Sequence, residues 1–406
     1  MGSLSLLDPG HKPRLRSSLA AEPHDEGVRL FDQLRIGRPI QLTGLGLEIV
    51  RRFDGDSTLR DVQAAITQIS GHIVPMEIFS SLIAALDEAL LLESPRFADH
   101  IGGPVRKPSC IGCYDADPKK MRAQLKTLFT APGGPGLPKV DGKGRNGKLR
   151  AALLPHMDYG RGNVTYGWGF KELIEQTDAT VFVIVATSHY SAHRYTLTRQ
   201  SFESPLGVVE TDQAYVNCIE REYGEGLFDD PAAHIPEHSI ELEVVLLQYL
   251  LEKVRPFKIV PLLCGSLGDS VRGGSLPNKK RDVGRMIRAL KAAEAECTEP
   301  VCYLISGDLA HIGPKFGDEA KAEGAWLEAS RKKDDAILEM IAKADPASYF
   351  ETIAAEGDAR RICGLPPTYL TLEATRPSRG KVLHYQQFVH PEGHESVSFA
   401  AATFYD

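Results

Sequence analysis

Apolar residues fall along this chain in two rhythms. Up to about residue 95 they recur at helical spacing, and from about residue 148 they gather into short β-rich runs separated by helical stretches. In the first part, RPIQLTGLGLEIVRRFDG carries apolar positions at helical intervals and stops at Gly55. Ser57 or Thr58 then starts a second helix through Gln68, and Pro75 opens a third, PMEIFSSLIAALDEALLLES. Residues 96–147 read as a connector with one helix, DPKKMRAQLKTLF, followed by APGGPGLPKVDGKGRNGK, whose glycines and prolines impose a loop.

From Lys148 the runs are RAALLPH, TVFVIVATSH, FKIVPLLCG and VCYLISGDLAH, closed by KVLHYQQF and SVSFAAATFY. Helical patterns stand between them, near 163–176, 211–224, 237–254 and 278–295. Apolar runs of this length between helices mark a sheet buried on both faces. The pattern therefore predicts an α/β domain over 148–406, preceded by a small α+β, winged-helix-like module over 1–95. No internal repeat is present.

Composition adds limits. At 406 residues two domains are the natural expectation. The net charge of −7 offers no chain-wide attraction to nucleic acid or an anionic membrane. Residues 1–95 hold nine Lys and Arg against thirteen Asp and Glu, a net of −4, where a DNA reader shows a basic face. The start, MGSLSLLDPGHKPRLR, lacks the apolar core of a signal peptide, and Leu6 stands where a myristoylation motif after Gly2 wants Ser or Thr. No apolar run is long enough to span a bilayer. Seven scattered cysteines do not form a disulfide framework, so a cytoplasmic protein with reduced thiols is expected.

The chemistry collects where the buried runs end. ALLP ends in His156, VFVIVATS ends in His189, and CYLISGDLA carries Asp308 with His311 just beyond. Ligand sites in open α/β sheets lie beyond the carboxyl ends of strands, so three strands would deliver imidazole and carboxylate to one rim. A lone histidine at a strand end is commonly structural, but three converging ends point to metal binding. Two histidines with a carboxylate or thiolate suit iron, copper or zinc.

A second cluster, AAHIPEHSIELE, holds His234, Glu237, His238 and Glu241. Its H-x-x-E-H spacing matches one class of zinc peptidase, which needs both histidines on one helical face. Pro236 should start the helix, leaving His234 in the preceding loop. Residues lining a site, not a peptidase motif, is the better reading. Cys363 lies between Arg361 and Gly364 at an expected helix N-terminus with Pro366 in its first turn, two features that lower a thiol pKa. The other cysteines read as buried small hydrophobes, and Cys110–Cys113 is a lone C-x-x-C. Gly160, Gly162 and Gly167 miss the dinucleotide fingerprint, because Thr165 stands where its third glycine belongs.

The ordered motifs PHMDYGRG, ATSHYS, ESPLG, AHIPEHSIE, SGDLAHIG, RRICG and SVSFAAATFY resemble the Memo-like family across nearly all of 148–406. CYDADPKKMRAQLKTLF resembles the segment that precedes that family's core. The resemblance implies a fold similar to the class III extradiol dioxygenases, a three-layer domain with a central mixed sheet between helices. It places the family's metal residues on His156, His189 and Cys363, with Asp308 and His311 beside them. It also implies iron or copper chemistry. Prokaryotic members are grouped with AMMECR1-like and radical SAM proteins, as the AmmeMemoRadiSam system protein B. The first motif departs from the family by reading His156-Met157-Asp158, which brings an extra carboxylate, Asp158. The module over 1–95 resembles PqqD-like peptide-binding modules in pattern.

Three readings follow. The first is a metal-dependent, dioxygenase-like oxidoreductase for a small molecule or peptide, in which Asp308 completes the site and His311 or His238 acts as acid or base. The second is a non-catalytic module binding a peptide or modified residue. The third is hydrolysis by zinc-bound water.

Overall fold

The structure, a computed structural model, describes Leu6 and residues 8–25, 27–140 and 147–406. The readings of the first five residues and of 141–146 in the connector loop lie outside the described residues. The chain divides into two compact units, Met1–Gly103 and Pro104–Asp406.

The first unit is α+β. Strands β1 (Leu19–His24), β2 (Gly27–Asp32) and β3 (Ile40–Leu42) form an antiparallel sheet, followed by helices α1 (Gly44–Val50), α2 (Leu59–Ser70), α3 (Met76–Glu88) and α4 (Pro95–Gly102). The helix expected to run through to Gly55 is shorter, because the IQL run pairs as β3 and Thr43 caps α1. Thr58 starts α2 with a reciprocal bond to Asp61, and Gly71 ends it in the left-handed conformation. The fourth helix, α4, has no buried residue, so no apolar stripe announced it. The core of this unit gathers Leu30, Ile49, Phe53, Val62, Phe79 and Leu86. Beneath β2, the buried Asp32 carboxylate accepts from Arg16 at 2.8 Å, Ser18 at 2.7 Å and the Ile36 amide at 2.8 Å.

The second unit begins with β4 (Val105–Arg106) and α5 (Pro118–Thr130), then β5 (Leu149–Leu154), α6 (Tyr159–Gln176), β6 (Val181–Thr187), β7 (Tyr195–Leu197), β8 (Ser201–Ser204) and β9 (Gly207–Val209). It continues with α7 (Gln213–Tyr223), α8 (His238–Leu251), β10 (Lys258–Cys264), α9 (Gly268–Gly273), α10 (Arg281–Glu296), β11 (Val301–Ser306) and β12 (His311–Ile312). The chain closes with α11 (Gly324–Lys343), α12 (Pro346–Ala354), α13 (Leu365–Thr375), β13 (Arg379–Val389) and β14 (Ser396–Tyr405).

The main sheet has the order β12-β14-β5-β11-β6-β10-β7, with β13 on β14. Its centre, β5-β11-β6-β10, is parallel, while β14 and β7 pair antiparallel at its flanks. Alternate residues separate its two faces. Ala151, Leu153, Val181, Val183 and Val185 pack with α7 and α10–α13, whereas Ala152, Leu154, Phe182 and Ile184 pack with α5, α6 and α8. The mixed sheet between helices is the architecture the sequence predicted. The residues read as a connector divide: Met121, Leu125, Leu128 and Phe129 of α5 lie in the second unit's core. A Cβ on Gly167 of α6 would stand 2.2 Å from the Leu128 carbonyl oxygen, so this glycine permits the close approach of α5 and α6. None of the described helices is long and apolar enough to cross a membrane.

Candidate metal centre

Because β5, β11 and β6 are adjacent and parallel, their carboxyl ends open on one rim. His156 follows β5, Asp308 follows β11 and His189 follows β6. The fourth contributor is the start of α8, where Glu237 is the N-cap and His238 the first helical residue. The helix thus begins two residues later than Pro236 implied. The fifth is the loop before α13, which carries Cys363. A Cβ on Gly307 would lie 2.5 Å from the Gly364 Cα, and the Gly364 amide donates to the Asp308 carbonyl at 2.8 Å. Two bare backbones in contact bring Cys363 to the end of β11.

His156 is the floor of the site, 2% exposed. Its Nε2 lies 3.3 Å from the Cys363 Sγ and 3.7 Å from an Asp308 carboxylate oxygen. Its backbone N–H donates to the other Asp308 oxygen at 3.1 Å, and the Asp308 N–H donates to the Cys363 Sγ at 3.3 Å. The His189 and His238 rings stand over it, with centroids 5.1 and 5.2 Å from His156 and 4.7 Å from each other. Both side chains are about one-third exposed, which opens the site to solvent.

Glu237 sets both of these rings. Its carboxylate accepts from the His189 backbone N–H at 2.8 Å and lies 2.9 Å from His189 Nδ1 and 3.3 Å from His238 Nδ1. A carboxylate beside Nδ1 fixes the Nδ1–H tautomer, so each ring turns its Nε2 lone pair away from Glu237. His311 is set in the same tautomer. Its Nδ1 is 3.0 Å from two carbonyls, of Leu309 and Arg361, which can only accept. Among the described residues, two sets of donor atoms lie within 4.8 Å of one another: His156, His189 and His238, and His156, Asp308 and Cys363. The structure therefore joins His189 and Cys363 to His156 in separate sets.

Charge states follow from burial and neighbours. Burial pushes His156 well below the usual histidine range, helped by repulsion from His189 and His238. Burial holds His311 down to about 4 and lifts Asp308 to about 7. At Glu237 burial opposes ionisation, but the hydrogen bonds from His189 and His238 prevail and hold it well below the carboxylate range. His189 is raised in turn, since Glu237 outweighs the desolvation of its ring.

Three sequence expectations change. The Cys363 thiol, expected to be lowered, is pushed well above its ordinary value by burial and by Asp308. The Arg361 guanidinium is spent on Asp318, at 2.8 and 3.1 Å. Glu241, expected to line the pocket, points into the protein and pairs with the fully buried Arg106. His234 is 1% exposed and its Nε2 faces the Thr196 carbonyl at 3.2 Å, so its ring supports β7 and does not reach the rim. Asp158 caps α6 and pairs with Arg161.

One contributor escaped the sequence. Arg106 donates to the carbonyls of His234 at 2.6 Å, Ile235 at 2.9 Å and Glu237 at 2.9 Å, and so holds the turn that delivers His238. Nothing around Val105 and Arg106 signalled this.

A family model described as Memo-like protein matches residues 106–405. The chain belongs to the Memo-like family. A MEMO1 family protein of Aquifex aeolicus is 23% identical over 406 residues, covering 97% of this chain and all of its own length. One from Methanopyrus kandleri is 29% identical over 309 residues, covering 74% of this chain and 98% of its own. One from Methanothermobacter thermautotrophicus is 28% identical over 277 residues, covering 67% and 88%. The Aquifex relative thus spans the first unit as well, while the rim described above falls wholly within the Memo-like region.

Proposed function

We propose that this Memo-like protein is a metal-dependent oxidoreductase that holds one iron or copper ion at His156, His189 and Cys363. The observation that carries the reading is the convergence of imidazole, thiol and carboxyl donors at one strand-end rim with two imidazoles facing solvent. The donor set fits such an ion: neutral imidazole and thiolate suit borderline and soft metals, and Glu237 already orients His189 and His238 through their Nδ1 atoms. Asp308 and His238 would complete the set. The bound metal would supply redox chemistry toward dioxygen and a small-molecule or peptide substrate.

The chain's own residues would do the rest. Glu237 keeps His189 and His238 aligned, and the Arg361 carbonyl keeps the His311 Nδ1 occupied, leaving Nε2 as a proton acceptor. His311 would serve as base, with His238 as the alternative. The first unit would act as a PqqD-like, winged-helix-like recruiting module, and AMMECR1-like and radical SAM proteins in the cytoplasm would be its partners. Oxygen uptake by metal-loaded protein, screened with catechol-like and thiol substrates, tests the reading. Uptake that His311→Ala reduces supports it, and turnover of esters or amides without oxygen dependence would overturn it.

The set of three histidines favours a second reading, zinc-dependent hydrolysis, since three imidazoles with an open position are a common catalytic zinc site. Zinc as the native metal would select it.

A further inference from the structure

The C-x-x-C of the sequence, Cys110-Ile111-Gly112-Cys113, has no part in the metal centre, and the chain folds it into one tight turn. The Cys113 N–H donates to the Cys110 carbonyl at 2.9 Å, and Gly112 supplies a positive φ of +112° at the third place of the turn. A hydrogen-bonded turn of this kind holds its end Cα atoms within about 7 Å, and a disulfide spans Cα atoms about 4.4–6.8 Å apart. Cys110 lies in the core, 7% exposed, whereas Cys113 packs on that core half-buried. Among the described residues, neither cysteine belongs to a group of three donors able to hold a metal.

The turn is built before any bond joins the two sulfurs. From α8, Glu241 accepts from the Ser109 N–H at 3.0 Å and the Cys110 N–H at 2.9 Å, and from the Tyr114 hydroxyl on the far side of the turn. From α5, the Gln124 side chain donates to the Cys113 carbonyl at 2.9 Å and accepts from the Asp115 N–H at 3.1 Å. Two helices thus fix the backbone on both flanks of the pair, so little chain entropy is left to lose when the ring closes. Neither thiol is held as a thiolate: burial raises both, with Glu241 adding to it at Cys110 and Asp158 at Cys113. Strongly oxidising pairs are those whose reduced form is stabilised, and this pair lacks that stabilisation, which leaves its disulfide harder to reduce.

We propose that Cys110 and Cys113 are a reversible dithiol–disulfide pair, with the half-buried Cys113 exchanging with an external disulfide and the buried Cys110 resolving it. The co-reactant is a low-molecular-weight disulfide of the glutathione class. The Cys113 thiol gives its proton to solvent, and its sulfur attacks the external disulfide, breaking that S–S bond and releasing one thiol, which takes up a proton. The Cys110 sulfur, its own proton lost to solvent, then attacks the Cys113 sulfur of the mixed disulfide, and the second external thiol leaves with a proton. The protein pair gives up two electrons, and the external disulfide takes them up as two thiols. The bond forms on the segment whose amides hold Glu241, the partner of Arg106 in anchoring the start of α8. The proposal stands apart from the metal-site reading.

The test equilibrates the full chain anaerobically with graded ratios of glutathione to glutathione disulfide, quenches in acid, and labels the remaining thiols with N-ethylmaleimide. One tryptic peptide, residues 107–119, carries both cysteines and no other, so mass spectrometry reads this pair alone. The expected result is a single transition in which the peptide loses two hydrogens and both labels together. Cys110→Ser should stop at a Cys113–glutathione mixed disulfide, whereas Cys113→Ser should leave Cys110 free. The same titration of the chain unfolded in urea should give an exchange constant about tenfold or more lower, because the fold holds the two thiols at a higher effective concentration. A folded wild-type chain whose peptide keeps both labels at every ratio overturns the proposal, as does one that stops at a mixed disulfide. An exchange constant no higher in the folded chain than in urea overturns it too, since the fold then adds nothing to a bare C-x-x-C. These wild-type readings decide the matter should either serine variant not fold.

Discussion

At the scale of single residues, the site is defined by what stands behind each donor. Glu237 receives four hydrogen-bond contacts at its two oxygens, from the backbone N–H groups of His189 and Ser239 and the Nδ1 atoms of two rings that share the rim. Replacing it by glutamine keeps the shape but removes the charge that pins Nδ1–H. Glu237→Gln is expected to lower metal affinity about 10–100-fold with little change in fold, measured by chelator competition. An unchanged affinity would mean that His189 and His238 do not ligate. Asp308 has a different part: it accepts from the His156 amide and its own amide donates to Cys363, so one residue ties the ends of β5 and β11 to the loop before α13.

At the scale of elements, the rim depends on how loops are anchored below it. Arg106 of β4 holds the turn before α8 through three carbonyls, and its charge is balanced by Glu241 one turn into that helix. Arg106→Met leaves Glu241 buried without its partner, and should destabilise the protein by about 3–5 kcal/mol in urea unfolding. A loss under about 1 kcal/mol would show that this pair does not hold the turn. Such an anchor is invisible in sequence, because the two residues are far apart and β4 is two residues long. The strand ends were legible for the opposite reason. A parallel strand buried on both faces reads as a continuous apolar run, so its end, and the His156, His189 or Asp308 that follows, is marked in the pattern itself. The start of α8 was nearly legible: Pro236 signalled it, but the cap is Glu237, which turns His238 toward the rim and leaves His234 beneath β7. The state of Cys363 was misread because sequence could not show its burial or the Asp308 carboxyl beside it, and Arg361, its sequence neighbour, spends its charge on Asp318.

At the scale of the whole molecule, each unit carries a buried carboxylate held ionised against the cost of its burial. Burial opposes the charge of Asp32 in the first unit and Glu241 in the second. The Gly37 amide, Ser18 and Arg16 prevail at one, Arg106 and Tyr114 at the other, and both folded values lie below the ordinary range. A depressed folded value gives stability that is complete above the unfolded carboxyl pKa of about 4 and is lost as pH falls through the folded value. The urea midpoint should therefore drop steeply below about pH 4, and a midpoint flat down to pH 3 would contradict these assignments. The two units meet different needs: one is a small α+β body, and the other is the Memo-like domain whose sheet ends collect the donors. The most direct test of that collection is metal analysis of anaerobically purified protein, wild type beside His189→Ala and Cys363→Ser. Near-stoichiometric iron or copper in the wild type, lost in both variants, is the predicted result; wild-type protein without metal, or metal retained in full by both variants, would contradict it.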